Sequence, residues 1–319
     1  MIEGWHVAVL MGGVSAEREV SLRSGAAVAG ALERCGARVT RVDVQSRQLE
    51  LPAEVDVVFV ALHGTFGEDG TVQRMLEERG LPYTFSDAAA SARAFDKVRS
   101  KQAFLANEVP TPRFVVLSAR RPNFSAVEML HWPVGVKPAR QGSSVGVMRV
   151  ERREELPAAC AEAGRYDDWL LVEEWVTGRE LTVAVLEGRA LPVIEVRPRD
   201  GWFDYRAKYT SGRTEYLVPA PLEEDVRRRA ENLAVQAQEC LGCRDLTRVD
   251  MMMDEKGRLF VLEVNTIPGF TETSLVPKAA RAAGWSFERL CERLVELAAA
   301  RDGRLLGSGR GVGEVEVMR

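Results

Sequence analysis

Histidine is scarce in this chain of 319 residues, with three in all, and the five cysteines follow no framework. Cys35, Cys160, Cys240, Cys243 and Cys291 are odd in number, scattered and mostly set in helical patterns, so buried free thiols are expected rather than disulfides. Cys240 and Cys243 have CxxC spacing, but no second pair or nearby histidine completes a zinc site; Gly242 between them reads as a helix cap. No apolar run approaches the roughly 20 residues of a membrane span. With a formal net charge of −4 and no dense Lys/Arg run, nothing supports a nucleic-acid track, and a small-molecule partner is expected. The opening MIEGWHVAVLMGG has a short apolar run without a basic segment before it, which predicts a first β-strand rather than a signal peptide and a cytoplasmic chain. Internal repeats are absent as well.

What is present is an ordinary globular composition, 46% hydrophobic and 28% charged, in a length that allows two or three domains. Its most informative stretch runs from Thr247 to Leu275. Two apolar runs, Val249 to Met253 and Leu259 to Val264, flank the turn-like Asp254-Glu255-Lys256-Gly257, which predicts a β-hairpin. An even-length loop sets Asp250 opposite Val261 and Arg248 opposite Glu263. Arg248, Asp250, Glu263 and Asn265 then share one face, since strand side chains alternate with period two; an odd-length loop would break the alignment. Two carboxylates and an amide beside an arginine form an all-oxygen site suited to Mg²⁺ held together with substrate phosphates. An exposed face with a surface ion pair is the plainer alternative, and the spacing of acids does not fit an EF-hand.

In chain order the first unit alternates strand and helix. Strand His6 to Met11, helix Ala16 to Arg34, and strands Ala37 to Val42 and Val55 to Leu62 predict a parallel sheet covered by helices. Functional residues then belong at the strand C-terminal ends, which selects Gly12, Gly13, Ser15 and Glu17 after the first strand and His63 and Gly64 after the third. The full GxGxxG of a dinucleotide fold is missing. Helices are expected over Ser86 to Glu108, with a domain boundary near Asp96. A smaller β-rich unit follows, with strands near Arg113 to Leu117, Val134 to Lys137, Val145 to Val150 and Trp169 to Glu174, and a helix over Glu154 to Ala163. Here Lys137 ends a strand and opens a loop of small residues to Gly146, a plausible phosphate cradle, though not a Walker A loop. Gly142, Ser144 and Gly146 also match GxSxG, but a strand follows instead of a helix, and no histidine lies beyond His131 to complete a triad. In the last unit Arg179 to Leu186 and Arg189 to Val196 predict a second hairpin around Glu187-Gly188. Asp204 to Gly212 suits a loop over a site, Glu223 to Cys240 is helical, and helices follow Leu275. The glycines from Gly307 to Gly313 lie in a tail expected to be mobile.

These pieces together resemble the D-alanine–D-alanine ligase family of the ATP-grasp superfamily over Val7 to about Ala300. They are LMGGVSAEREVSL, ALHGTFGEDGT, DKVRSK, VKPARQGSSVGV, VEEWVTGRELTV, DYRAKY, TRVDMMMD and EVNTIPGFTETSLVP, in family order. The resemblance implies an α/β fold, α+β in parts, of three domains: a Rossmann-like N-terminal domain over 1–95, a small central α+β domain over 96–176, and a C-terminal domain with a large antiparallel sheet over 177–302, before a tail 303–319. It implies an enzyme that joins two D-alanines with ATP for peptidoglycan precursor synthesis, needs two Mg²⁺ (or Mn²⁺) ions, and is a homodimer. By resemblance Lys97, Lys137 and Lys208 hold ATP phosphates, Glu173, Glu174, Trp175 and Val176 line the adenine pocket, and Glu180 meets the ribose. Asp250, Glu263 and Asn265 bind the metals. Arg248 and the Gly269 N–H face the oxyanion. Glu17 holds the first ammonium with His63 nearby, and Ser274 and the Leu275 backbone receive the second carboxylate. Ser143, Tyr209 and Glu17 tie the covering loop down, and a tyrosine at 209 favours D-alanine over D-lactate as acceptor. One departure from some relatives is Glu174, which stands where they carry lysine and so bears on adenine recognition.

Overall fold

The computed structural model describes residues 2–198 and 214–301 of the chain. Strand β1, His6–Gly12, is buried along its whole length, as a strand covered on both faces must be. It pairs in parallel with β2, Arg38–Val44, on one side and β3, Val57–Val60, on the other. The strand order β2-β1-β3 reverses direction at β1, and such a switch point opens a crevice at the strand C-terminal ends. Helix α1, Arg18–Arg34, starts directly beneath it and turns Ser21, Ser24 and Val28 inward. Gly36, at φ +83°, lets the chain leave this helix in a left-handed conformation.

Helix α2, Thr71–Glu78, leads to α3, Ala88–Phe95, and α4, Lys97–Ala106. Asp96, where a domain boundary is expected, is the N-cap of α4, its side chain accepting from the Val98 and Arg99 N–H groups. Next comes an antiparallel sheet of order β4-β7-β5-β6, made of Phe114–Ser118, Trp169–Glu174, Val134–Pro138 and Met148–Val150, with α5, Leu156–Ala163, against it. The strand expected from Val145 begins only at Met148. Ser143, Ser144 and Gly146 have positive φ, and a backbone so turned cannot extend a ladder.

The third layer is a six-stranded antiparallel sheet of order β11-β10-β8-β12-β13, with β9 beside β8. Strand β8 is Gly178–Leu186, β9 Arg189–Ala190, β10 Ile194–Pro198, β11 Thr214–Leu217, β12 Leu246–Asp254 and β13 Leu259–Asn265. The single return strand expected over Arg189 to Val196 is split at Leu191-Pro192-Val193, where Pro192 has no N–H for the ladder. Helices α6, Glu224–Cys240, α7, Leu275–Ala282, and α8, Phe287–Ala300, complete the chain as described. Gly242 does follow α6 with φ +68°, and all five cysteines are free thiols. Among the described residues no helix is long and apolar enough to cross a membrane.

Phe270 fastens the first and third layers together. Its ring lies 5.8 Å from Phe59, 6.1 Å from Phe85 and 5.8 Å from Phe287. The ring is 1% exposed, so Phe270→Ala would open a cavity between layers. It is expected to cost about 3–5 kcal/mol of stability, to be read as a lowered unfolding midpoint in urea.

Candidate active site

The hairpin β12–β13 carries the site, and its register differs from the expected one. Arg248 pairs with Asn265 and Asp250 with Glu263, whereas Met251 pairs with Val261. The loop is of odd length: Asp254 and Arg258 are bonded across three residues, and Gly257 takes φ +72°. An odd loop alone would turn Glu263 to the opposite face. A β-bulge between Asp250 and Met251 on one strand, opposite Leu262 on the other, restores the parity. The four polar residues therefore do share a face, by loop and bulge together.

On that face Arg248 grips Asp250 with both ends of its fork, Nε to Oδ1 at 2.8 Å and Nη2 to Oδ2 at 2.7 Å. Thr182, the cross-strand neighbour of Asp250 on β8, donates to Oδ1 at 2.7 Å. The Asn265 amide nitrogen donates to Oδ2 at 3.1 Å, which leaves its own oxygen as the group able to act as a ligand. Lys97 reaches in from α4, with Nζ 3.5 Å from Glu263 Oε2 and a 2.6 Å hydrogen bond to the Gln141 carbonyl.

Two cavities meet at this hairpin. One, of about 480 Å³, lies between the two antiparallel sheets and is lined by Lys97, Lys137, Glu173, Trp175, Glu180 and Asp250 among others. The second, of about 460 Å³, faces the parallel-sheet layer and includes Glu17, His63, Arg248, Asn265, Gly269 and Ser274. Glu263 lines both, so a group held there touches either compartment.

In the first cavity Glu173 faces the lysines. Lys137 is in ion-pair contact with its Oε1, and Lys101, which is 1% exposed, lies 2.5 Å from its Oε2. Burial alone would raise the Glu173 carboxyl, but the two ammonium groups hold it below the usual carboxylate range. Burial also works against the Lys137 ammonium, and Glu173 outweighs it to lift the pKa; at Lys101 burial wins and lowers it. Glu174 also lines the cavity, yet its carboxylate accepts from the His131 ring at 2.7 Å. Trp175 lies under the Arg149 guanidinium, 5.5 Å from the ring centroid.

In the second cavity Ser143 donates a short hydrogen bond to Glu17 Oε1, linking the small-residue loop to the N-terminal layer. Gly142 permits this closure, since a Cβ there would sit 2.8 Å from Glu17 Oε2. His63 lines the cavity, but both ring nitrogens are used, at 3.0 Å from the Ile267 carbonyl and 3.0 Å from Ser24 Oγ. Burial pushes its pKa down, so the neutral ring, with the proton on Nδ1 toward the carbonyl, fits this network. Ser274 is the N-cap of α7 and bonds the Thr271 hydroxyl at 2.8 Å; the first N–H groups of the helix follow it. Glu68 borders the same space, and burial raises its carboxyl to about 8. Lys208, Tyr209 and the expected covering loop lie outside the described residues.

Sequence reasoning assigned no role to Lys101, Glu68 or Thr182. Lys101 could have been found from helical spacing, since it stands four residues after Lys97 and so on the same face of α4. Glu68 sits within a quoted motif. Thr182 could be tied to Asp250 only through the β8–β12 pairing, which joins segments 68 residues apart.

Among solved structures, the D-alanine–D-alanine ligase of Bacillus anthracis complexed with ATP matches at a TM-score of 0.84 and 33% identity, over 94% of this chain and 98% of that one. The VanG D-Ala:D-Ser ligase of Enterococcus faecalis matches at 0.80 and 30% identity, over 93% and 100%. A parallel-sheet layer joined to two antiparallel sheets that close on a lysine-lined cleft defines an ATP-grasp ligase. The model of the D-ala D-ala ligase C-terminus matches residues 105–296, and that of the N-terminus residues 38–86. A D-alanine–D-alanine ligase of Syntrophotalea carbinolica is 49% identical over 298 residues, 92% of this chain and 96% of that protein. The chain belongs to the D-alanine–D-alanine ligase family.

Proposed function

We propose that the chain joins two D-alanine molecules into D-alanyl-D-alanine at the expense of ATP, and that the two cavities divide the work at Glu263. The observation that carries this reading is the shared wall: one residue borders both a lysine-lined cleft and a chamber holding a carboxylate and an arginine. The larger cleft takes ATP, its phosphates toward Lys97 and Lys137, its base beside Trp175 and Val176, and its ribose near Glu180. Glu17 holds the ammonium of the first D-alanine. The first carboxylate attacks the γ-phosphorus, ADP leaves, and an acyl phosphate forms, turning a poor electrophile into a reactive one.

The metal donors fit Mg²⁺. Among the described residues no group of three or more His, Cys, Asp or Glu side chains is placed to hold a metal ion by itself. Two carboxylates, Asp250 and Glu263, and the Asn265 amide are what remain, and Mg²⁺ prefers one or two carboxylates completed by phosphate and water. When bound, two Mg²⁺ (or Mn²⁺) ions would offset charge on the transferring phosphoryl group.

In the second step the amine of the acceptor D-alanine attacks the acyl carbon. Arg248 and the Gly269 N–H stabilise the oxyanion, which collapses to expel phosphate. The acceptor carboxylate belongs at Ser274 and the Leu275 N–H, where the open end of α7 presents unpaired donors. Lys208 and Tyr209 would close over the site and exclude water from the acyl phosphate. The same reading divides the chain at 1–95, 96–176 and 177–302, places the enzyme in the cytoplasm as a homodimer, and gives its product to peptidoglycan precursor synthesis.

Incubation with ATP, Mg²⁺ and D-alanine is expected to release phosphate and dipeptide in equal amounts. No release at any metal concentration would reject the reading. The likeness to a D-Ala:D-Ser ligase keeps a second acceptor in view. In competition among D-alanine, D-serine and D-lactate at several pH values, mixed dipeptide or ester should stay a minor product.

A further inference from the structure

Lys101 is buried beneath the nucleotide cleft, does not line it, and has no part in the reaction described above. Its ammonium lies 5.7 Å from the centroid of the Phe114 ring and makes two polar contacts. One is the 2.5 Å ion pair with Glu173 Oε2. The other is a 2.6 Å hydrogen bond to the Thr111 hydroxyl, which donates in turn to the Val261 carbonyl at 2.7 Å. Val261 is the last paired residue before the bulge at Leu262. From one helix position Lys101 thus joins the central sheet to the strand that carries Glu263.

The charge arrangement gives that position a consequence. Glu173, 3% exposed, stands between two ammonium groups, and only Lys137 reaches the cavity. With Lys101 behind it, the carboxylate is shared, and the triplet keeps one net positive charge on its cavity side. Without Lys101, Glu173 would neutralise Lys137 alone, in a medium where charges are weakly screened.

We propose that Lys101 is a positioning residue of the nucleotide site, engaging Glu173 from behind so that the Lys137 charge is presented to the phosphates. This rests on the reading of Lys137 as a phosphate contact, and the test separates the two. Adenosine, ADP and ATP are titrated calorimetrically into the full chain and into Lys101→Gln, Lys137→Met, Glu173→Gln and Lys101→Gln/Glu173→Gln.

Lys101→Gln is expected to weaken ATP about tenfold and ADP less, with adenosine within about twofold; tenfold corresponds to about 1.4 kcal/mol. In the Glu173→Gln background the same change should cost less than about threefold, because no carboxylate is left to quench Lys137. Equal losses for adenosine and ATP, no loss at all, or a full tenfold loss in the Glu173→Gln background would each overturn the proposal. If Lys137→Met binds ATP like the parent chain, the phosphate reading of Lys137 fails. If Lys137→Met weakens ATP and Lys101→Gln does not, the Lys101 proposal fails alone. Should Lys101→Gln not fold, Lys101→Met/Glu173→Gln keeps the net charge and leaves no buried ion stranded. Its ratio of ATP to adenosine affinity should stay within about threefold of the parent, and a tenfold fall overturns the proposal.

Discussion

Glu263→Gln is expected to lower the rate of ATP-driven dipeptide formation by on the order of 10³, equivalent to about 4 kcal/mol of transition-state stabilisation, while leaving the fold in place. The substitution keeps shape and removes one charge. In the folded chain the Glu263 side chain is partly exposed and borders both cavities, with Lys97 Nζ 3.5 Å from Oε2, so the amide of the same shape keeps its packing. Asp250→Asn should abolish turnover as well, but by a different route. The Asp250 carboxylate holds the Arg248 fork, the Thr182 hydroxyl and the Asn265 amide at once, so the amide replacement removes the charge to which both ends of that fork are bonded. It should therefore also lower the melting temperature, which Glu263→Gln should not. Steady-state phosphate release together with thermal melts separates the pair. Activity retained by both variants would reject the metal assignment, and a large melting shift in Glu263→Gln would reject the account of its environment.

Much of this site was readable in one sequence because its parts are local. Arg248, Asp250, Glu263 and Asn265 lie on two adjacent strands, and period-two alternation puts Arg248 with Asp250 and Glu263 with Asn265, although bringing the two pairs onto one face depends on the register. The register was not readable. A loop of three residues and a bulge at Leu262 are separate irregularities that cancel in parity, and the apolar pattern around Leu262 is compatible with either a continuous or a bulged strand. The start of β6 at Met148 is hidden for a related reason: Val145 looks like a strand residue, but the positive φ values of Ser143, Ser144 and Gly146 accompany the hydrogen bond between Ser143 and Glu17, 126 residues away. His63 shows the same limit. Its place after a buried strand is legible, but its engagement by Ser24 depends on how α1 packs, and that by the Ile267 carbonyl on an approach between segments 204 residues apart in the chain. Lysines 97 and 101 form the opposite case, since helical spacing alone puts both on one face and only the depth of Lys101 needed the fold.

Arg248 is the residue at which binding and turnover should come apart most sharply. Its guanidinium borders the second cavity rather than the nucleotide cleft, so Arg248→Met should leave ATP affinity within about threefold and reduce kcat by about 10² to 10³, the range for loss of one preorganised oxyanion donor. A protein that only binds nucleotide would be indifferent to this change. Part of any loss would arise through Asp250, because the fork proposed to face the oxyanion is bonded to both oxygens of that carboxylate. Arg248→Lys divides the two contributions. Lysine restores a positive charge beside Asp250 but is a point charge and cannot hold two oxygens while directing a third donor at the acyl carbon. If the residue serves catalysis, Arg248→Lys should recover the melting temperature lost in Arg248→Met and still remain at least about tenfold below the parent in kcat. Recovery of both by lysine would make Arg248 a counter-ion of Asp250 alone, and the oxyanion would then have to be stabilised by the Gly269 N–H without it.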